Sequence, residues 1–415
     1  ALNATSEHLM TTTVTGGAAG ASVAVTPVAA VSVGINDTTA RLGSGTALNL
    51  DGSYSSQAEQ RSEQTTTATG QTEGSSVSVG ASIAVGVAED TVTASVERNL
   101  TAAADIGVAA VGTSKSNTSA TASVKGGKEA DNNGDAPAGQ SVDEQVKGQG
   151  DAAKDSGKTT STKAGKTGAG GKLEASKQKE NPKAESNGQG VSVAAAVGVN
   201  VSTHKVSSGV ADGVTVSSAG GALNVASTVE TDAKAKADGS QVDAGGTSVG
   251  VGAAVAVNAV TTSNKATVGD NAQVKTKGLS IKAEQAAGQS NDFGADAKSG
   301  AGASKVGVAG SLALNIIASN TRAQLLGDAN LTGLGGPVIR HVDISASSKS
   351  INTAKAGAEV VAPAGDEEAQ VGVGASVGVN VAVNTTLAEV ADGAGLVGGS
   401  DMTLNATAEH SMDTE

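Results

Sequence analysis

Residues 247–283 read TSVGVGAAVAVNAVTTSNKATVGDNAQVKTKGLSIKA. The segment opens in strict alternation: Val249, Val251, Ala253, Val255 and Val257 point one way, and Gly250, Gly252, Ala254, Ala256 and Asn258 the other. A period of two marks an extended strand with one apolar face. A polar run (Thr261–Lys265), a turn at Gly269-Asp270 and a second short alternating run of Leu279, Ile281 and Ala283 complete the unit.

That unit recurs. The end of the long alternating run returns as Val33-Gly34-Ile35-Asn36, Val85-Gly86-Val87-Ala88, Val197-Gly198-Val199-Asn200, Val255-Ala256-Val257-Asn258, Leu312-Ala313-Leu314-Asn315 and Val377-Gly378-Val379-Asn380. Its last positions are spaced by 52, 112, 58, 57 and 65 residues, and the long spacing contains an insertion. Self-similarity at a fixed period is the signature of a solenoid or array. A turn follows at Leu42-Gly43, Asp212-Gly213, Gly269-Asp270, Gly327-Asp328 and Asp392-Gly393, while the second repeat departs from it through Glu97-Arg98-Asn99. The short run is expected at Leu48-Asn49-Leu50, Ile106-Gly107-Val108, Leu223-Asn224-Val225, Leu279-Ser280-Ile281, Val342-Asp343-Ile344 and Met402-Thr403-Leu404. Val229–Ala237 has good helix formers, yet it alternates small residues with Glu230, Asp232, Lys234 and Lys236, which is strand periodicity with a charged solvent side.

The fold expected is all-β, a parallel β-solenoid of about six imperfect repeats of roughly 57 residues. Either each period makes one broad coil with strands of about 15–20 residues, or it makes two or three ordinary coils. Repeats occupy 1–124 and 191–415, and 125–190 is a polar, low-complexity insertion, Lys-, Gly-, Asp- and Ser-rich, expected to be flexible. With one Tyr, one Phe, no Trp and 57 Gly, a core of Val and Ala must be thin. In-register stacking would align Asn36, Asn200, Asn258, Asn315 and Asn380 as an amide ladder broken by Ala88.

The net charge is −13. Between residues 125 and 185 there are 11 Lys and 10 Asp or Glu, which leaves 17 of the 28 basic residues against 31 of the 41 acidic ones elsewhere. An acidic repeat surface argues against nucleic acid. Absence of Cys excludes disulfides and thiolate metal sites. Gly and Ser interrupt every apolar run, so no membrane-spanning segment is expected. Leu2-Asn3-Ala4-Thr5-Ser6-Glu7-His8 nearly duplicates Leu404-Asn405-Ala406-Thr407-Ala408-Glu409-His410, as though the chain were cut from a longer polypeptide.

No catalytic constellation emerges. His8, His204, His341 and His410 are dispersed, and HExxH, GxSxG and Walker patterns are absent, so no catalytic, cofactor-binding or metal residue is assigned and the chain is not expected to be an enzyme. The Asp residues at Asp212-Gly213, Gly269-Asp270, Gly327-Asp328 and Asp392-Gly393 could stack at one edge and attract calcium, but the tandem nonapeptide of calcium-loaded β-rolls is missing and turn chemistry accounts for them. Thr-rich patches lack the ranks of an ice-binding face.

The pattern GASVAVNxV…KAxVGD…LxIxA, clearest in 249–283 and then 371–406, resembles the repeats of very large bacterial surface proteins, the filamentous haemagglutinin-like and leukotoxin-type filamentous adhesins. The resemblance covers most of the chain outside the insertion and implies an exported, elongated stalk on the bacterial cell surface. It carries no catalytic residues. The partners expected are neighbouring repeats or further copies of the chain, with host or neighbouring-cell surfaces and matrix glycans outside it. Two other classes compete: a self-assembling sheath or matrix filament, and a polysaccharide-active β-helix enzyme, which would need clustered acids and aromatic platforms.

Overall fold

The computed structural model describes residues 1–20, 22–74, 76–126, 190–243, 247–302, 305–332, 340–361 and 371–415. The interior of the expected insertion, 127–189, lies outside the described residues. After β1 (Leu2–Gly20) the chain repeats a three-strand order. It runs β2 (Val23–Leu42), β3 (Leu48–Leu50), β4 (Tyr54–Gly74), then β5 (Val77–Val96), β6 (Leu100–Ala102), β7 (Ile106–Gly126). It continues with β8 (Gly190–Val210), β9 (Thr215–Ser218), β10 (Leu223–Asp243), then β11 (Thr247–Val268), β12 (Gln273–Lys275) and a divided third strand, β13 (Leu279–Gln285) with β14 (Asn291–Gly302). The last coils are β15 (Val306–Leu325), β16 (Asp328–Asn330), β17 (His341–Val361) and β18 (Val371–Val390), β19 (Leu396–Val397), β20 (Asp401–Thr414).

Three parallel sheets result. Sheet A holds β1, β4, β7, β10, β13 with β14, β17 and β20; sheet B holds β2, β5, β8, β11, β15 and β18; sheet C holds the short strands. The molecule is a parallel β-solenoid of six coils, each period forming one broad coil. At about 3.3 Å per residue the long strands reach roughly 66 Å, whereas six coils rise only about 29 Å, so the stack is a wide, shallow slab. Sheet pairing passes across the insertion: β5 bonds to β8 from Val77↔Val191 to Val96↔Val210, and β7 bonds to β10. The excursion leaves sheet A at Gly126 and returns to sheet B at Gly190, the same corner that every other coil turns.

The thin core is present, but its lining corrects one expectation. In β11 the residues facing sheet A are Gly250, Gly252, Ala254, Ala256 and Asn258, and the Val249–Val257 set faces outward. Sheets A and B approach closely here, and a larger inward side chain is accommodated opposite glycine, as Val28 is by Gly16 and Gly70. A Cβ placed on Gly198 would lie 2.2 Å from the Lys236 carbonyl oxygen, and one on Gly239 2.0 Å from that of Ala253. Facing Ala residues, among them Ala84, Ala196, Ala254 and Ala313, fill the neighbouring half. Towards sheet C the sheets diverge, and Val96, Leu100, Ile106, Val216, Leu223, Val274, Leu279 and Leu325 close a broader corner. The single Phe, Phe293, is fully buried between these halves with Ala233, Val260 and Ile317.

Two repeat alignments also change. Asn200 pairs in register with Gly86, and Gly86 with Ser32, so the first repeat is offset by four residues and the second by two from the expected anchors. An even offset leaves every side chain on its own face, so alternation alone cannot detect it. Leu48-Asn49-Leu50 belongs to sheet C beside Leu100-Thr101-Ala102; the first-coil counterpart of Ile106 is Tyr54. Val229–Ala237 is strand, within β10, and its charged residues face outward. His8 and His410 occupy equivalent positions in sheet A, linked through Ser62, Ser114, Thr231, Asn291 and Ser350.

Candidate functional site

Strands of sheet B build two polar columns in the interior, and both are closed by sheet A. In the first, Asn200 Nδ2 donates to Asn258 Oδ1 at 2.9 Å, Asn258 Nδ2 to Asn315 Oδ1 at 2.9 Å, and Asn315 Nδ2 to Asn380 Oδ1 at 3.1 Å. Each amide also reaches across: Asn258 Nδ2 donates to the Ala233 carbonyl at 2.8 Å and Asn380 Nδ2 to that of Asn352 at 3.0 Å. Ser116 and Thr118 hydroxyls donate to Asn200 Oδ1 at 2.6 and 3.1 Å. The ladder therefore ties coil to coil and sheet to sheet. It has four rungs and ends opposite Gly86; Asn36 stands outside it, because the first repeat is offset by four.

Asn36 belongs to the second column, in register with Asp90, His204, Thr262 and Ser319. Asp90 is completely buried, and its carboxylate accepts from Asn36 Nδ2 at 2.7 Å, Gln60 Nε2 at 2.9 Å and Ser114 Oγ at 2.6 Å. Three donors satisfy the acceptor capacity of the buried carboxyl group. On the next strand His204, also fully buried, has Nδ1 2.8 Å from Thr231 Oγ1. Its Nε2 has no hydrogen-bond partner and points at Gly112, where a Cβ would lie 2.5 Å away. Burial pushes the imidazole down to about 4, with the Asp90 charge opposing. The ring is therefore neutral at pH 7.

An acid, a base and a hydroxyl thus meet at Asp90, His204 and Thr231, a grouping that dispersed positions in the sequence conceal. Register would have revealed it, since Asp90 lies as far beyond Val79 as His204 lies beyond Val193. None of the three exposes any surface. Of the other histidines, His341 is exposed beside Asp401 at 3.2 Å, and His410 Nδ1 lies 2.8 Å from Ser350 Oγ.

The turn aspartates stitch adjacent coils. Asp212 Oδ1 accepts from the Asp270 backbone N–H at 2.9 Å, and Asp328 Oδ1 from that of Gly395 at 2.7 Å. The Gln273 amide and the Gly395 N–H hold the Asp328 carboxyl below the usual carboxylate range. In the second repeat, which lacks the Gly-Asp turn, Asn99 Oδ1 does the same for the Thr215 N–H at 2.8 Å. Among the described residues no three His, Asp or Glu side chains gather where they could hold a metal ion. A cavity of about 290 Å³ lies on sheet A between Lys298, Lys355 and Glu359, beside Glu415. Its Lys355 is ion-paired with Glu415 at 2.9 Å.

The outer faces of the two long sheets differ over the stretch that follows the turn from sheet A into sheet B, whereas further along sheet B also carries charges, such as the Lys205–Glu89 pair. Sheet A presents charges paired between coils, as in Lys282–Asp343 at 2.9 Å and Lys349–Glu409 at 3.0 Å. Sheet B presents aligned columns of aliphatic side chains. One contains Val23, Val77, Val191, Val249, Val306 and Val371, in register on six adjacent strands. Among the described residues no helix is long and apolar enough to cross a membrane. Comparison of the chain with protein-family models, curated proteins and solved structures found no match.

Proposed function

We propose that this chain is a structural segment of a long repetitive protein, a stiff fibre or adhesin stalk at the bacterial surface. The observation that supports it most directly is the parallel pairing of sheets A and B from coil to coil, which continues between the strands on either side of 127–189. Among the described residues it is interrupted in sheet A only between β13 and β14, and it shifts locally at Gln241/Asp243 and Thr247/Val249. Hydrogen bonds run along the stack, amide ladders reinforce them inside, and turn carboxylates reinforce them at the corner. Such an object transmits force through backbone ladders rather than through a deformable core. Placement outside the cell rests on the resemblance of the repeats.

Electron cryo-microscopy of the native material tests this reading. A continuous ribbon with an axial repeat near 4.8 Å, much longer than the roughly 29 Å of these six coils, is expected. Compact particles with a substrate cleft, or turnover of a uronate polymer, would overturn it. The apolar part of the outer face of sheet B, from the column of Val23 to that of Val33, favours a second reading, a subunit of a sheath or matrix in which contacts between copies carry the function.

A further inference from the structure

We infer that the outer face of sheet B is an interface on which a second copy of this chain docks, sheet to sheet. This deepens the structural reading above and names its partner. The face consists of six columns running across six strands, beginning with the Val23-to-Val371 column and ending with the one that contains Val33, Val201 and Ile316. All thirty-six positions are Val, Ile, Leu, Ala, Gly or Pro; none is polar. Interior strands expose them as well as terminal ones: Ile83 is 46% exposed, Ile316 42% and Val201 37%. Six strands at about 4.8 Å and ten residue steps at about 3.3 Å make an apolar area on the order of 1,000 Å². That exceeds the roughly 300–600 Å² of the largest patch on an ordinary monomer and matches the about 800 Å² each partner contributes to a stable interface.

The relief of the face selects the partner. Its third column is small throughout, Pro27, Ala81, Ala195, Ala253, Gly310 and Ala375, and forms a furrow between Val ridges. The fourth column holds larger residues, including Ile83, Val255 and Leu312. A two-fold axis parallel to the stack reverses the strands of the second copy. It then lays the fourth column of each copy in the furrow of the other, and the first column of each over the sixth of its partner. Charges begin only beyond the sixth column, at Glu89, Lys205, Lys265 and Arg322, and this arrangement carries them clear on opposite sides. The outer face of sheet A cannot be the partner surface, because its Lys, Asp and Glu would be buried against Val without partners. The assembly has four layers, with apolar faces inside and charged faces outside.

Sedimentation velocity on the 415-residue chain, from about 1 to about 100 µM, tests the pairing. A particle of twice the 39.6 kDa chain mass is expected. The double variant Val199→Lys/Val257→Lys should weaken association at least about a hundredfold while retaining the strand circular-dichroism signal. The isosteric Val199→Thr/Val257→Thr pair, which keeps β-branching, should weaken it about tenfold and guards against a lysine variant that fails to fold. Ser345→Lys, outward on sheet A, should change nothing. The inference is overturned by a chain that stays single at the highest concentration, or by a dimer indifferent to both sheet B variants. It is equally overturned if single chains bind phosphatidylcholine vesicles through this face, which would make a lipid surface the occupant. Pairing without native ribbons would defeat the fibre reading alone, and ribbons without pairing would defeat this inference alone.

Discussion

Within one coil the two halves of the interior obey opposite packing rules. Towards the corner where sheet A hands over to sheet B, the backbones nearly touch and the lining is Gly and Ala. Towards sheet C the lining is Leu, Ile and Val. The first half is limited by excess volume and the second by missing volume. Spacing between sheets follows side-chain size, and a chain almost without aromatics can still close a core by letting the sheets converge.

The sharpest way to break this contrast is to put volume into the narrow half. Gly198→Val would drive a side chain into the Lys236 carbonyl, and a loss of more than about 4 kcal/mol, or of the folded chain, is expected in urea unfolding. A cost below about 1 kcal/mol would mean that the sheets are free to part there. In the broad corner the opposite change should hurt: Leu223→Ala should cost about 3 kcal/mol by leaving a cavity, whereas Ala196→Gly in the narrow half should cost about 1 kcal/mol.

Acid should act between the two halves, at His204. The unfolded chain takes up a proton near 6.5, but the buried ring resists until about 4, so stability is complete above pH 6.5 and falls as pH drops through that window. The loss amounts to about 3 kcal/mol at most. Unfolding midpoints at several pH values should show this slope and lose it in His204→Gln; equal slopes would place the titration elsewhere. Asn258→Ala removes the bonds to Asn200, Asn315 and Ala233 and should cost about 2 kcal/mol, seen as faster amide exchange on both neighbouring strands. The smallest effect belongs to the exposed face: Lys282→Ala, which breaks the pair with Asp343, should cost less than about 1 kcal/mol and disappear in high salt.

Much of the fold was legible because alternation and period are properties of the chain itself. The parallel solenoid, the strand character of Val229–Ala237 and the Asn200-to-Asn380 ladder follow from them, whereas one broad coil per period was only one of two geometries the period allowed. Which face is buried does not. Val249 and Val251 have the higher hydrophobicity, yet Gly250 and Gly252 go inside, because the decisive quantity is the distance to a second sheet that only the closed coil defines. The placement of Asn36 failed for a related reason, since a shift of two or four residues preserves facing and so costs nothing in the pattern. Sheet C was hidden in triplets such as Leu48-Asn49-Leu50, too short to carry a period. The meeting of Asp90 and His204 spans 114 residues and the whole insertion, and only register brings them together.

The corner between Gly126 and Gly190 has a wider meaning. Residues 127–189 intervene there in the sequence, while Val77 still bonds beside Val191. Length along the polypeptide and position along the stack are thereby decoupled at that corner. The register of the scaffold is thus independent of how much chain lies between its strands at that corner.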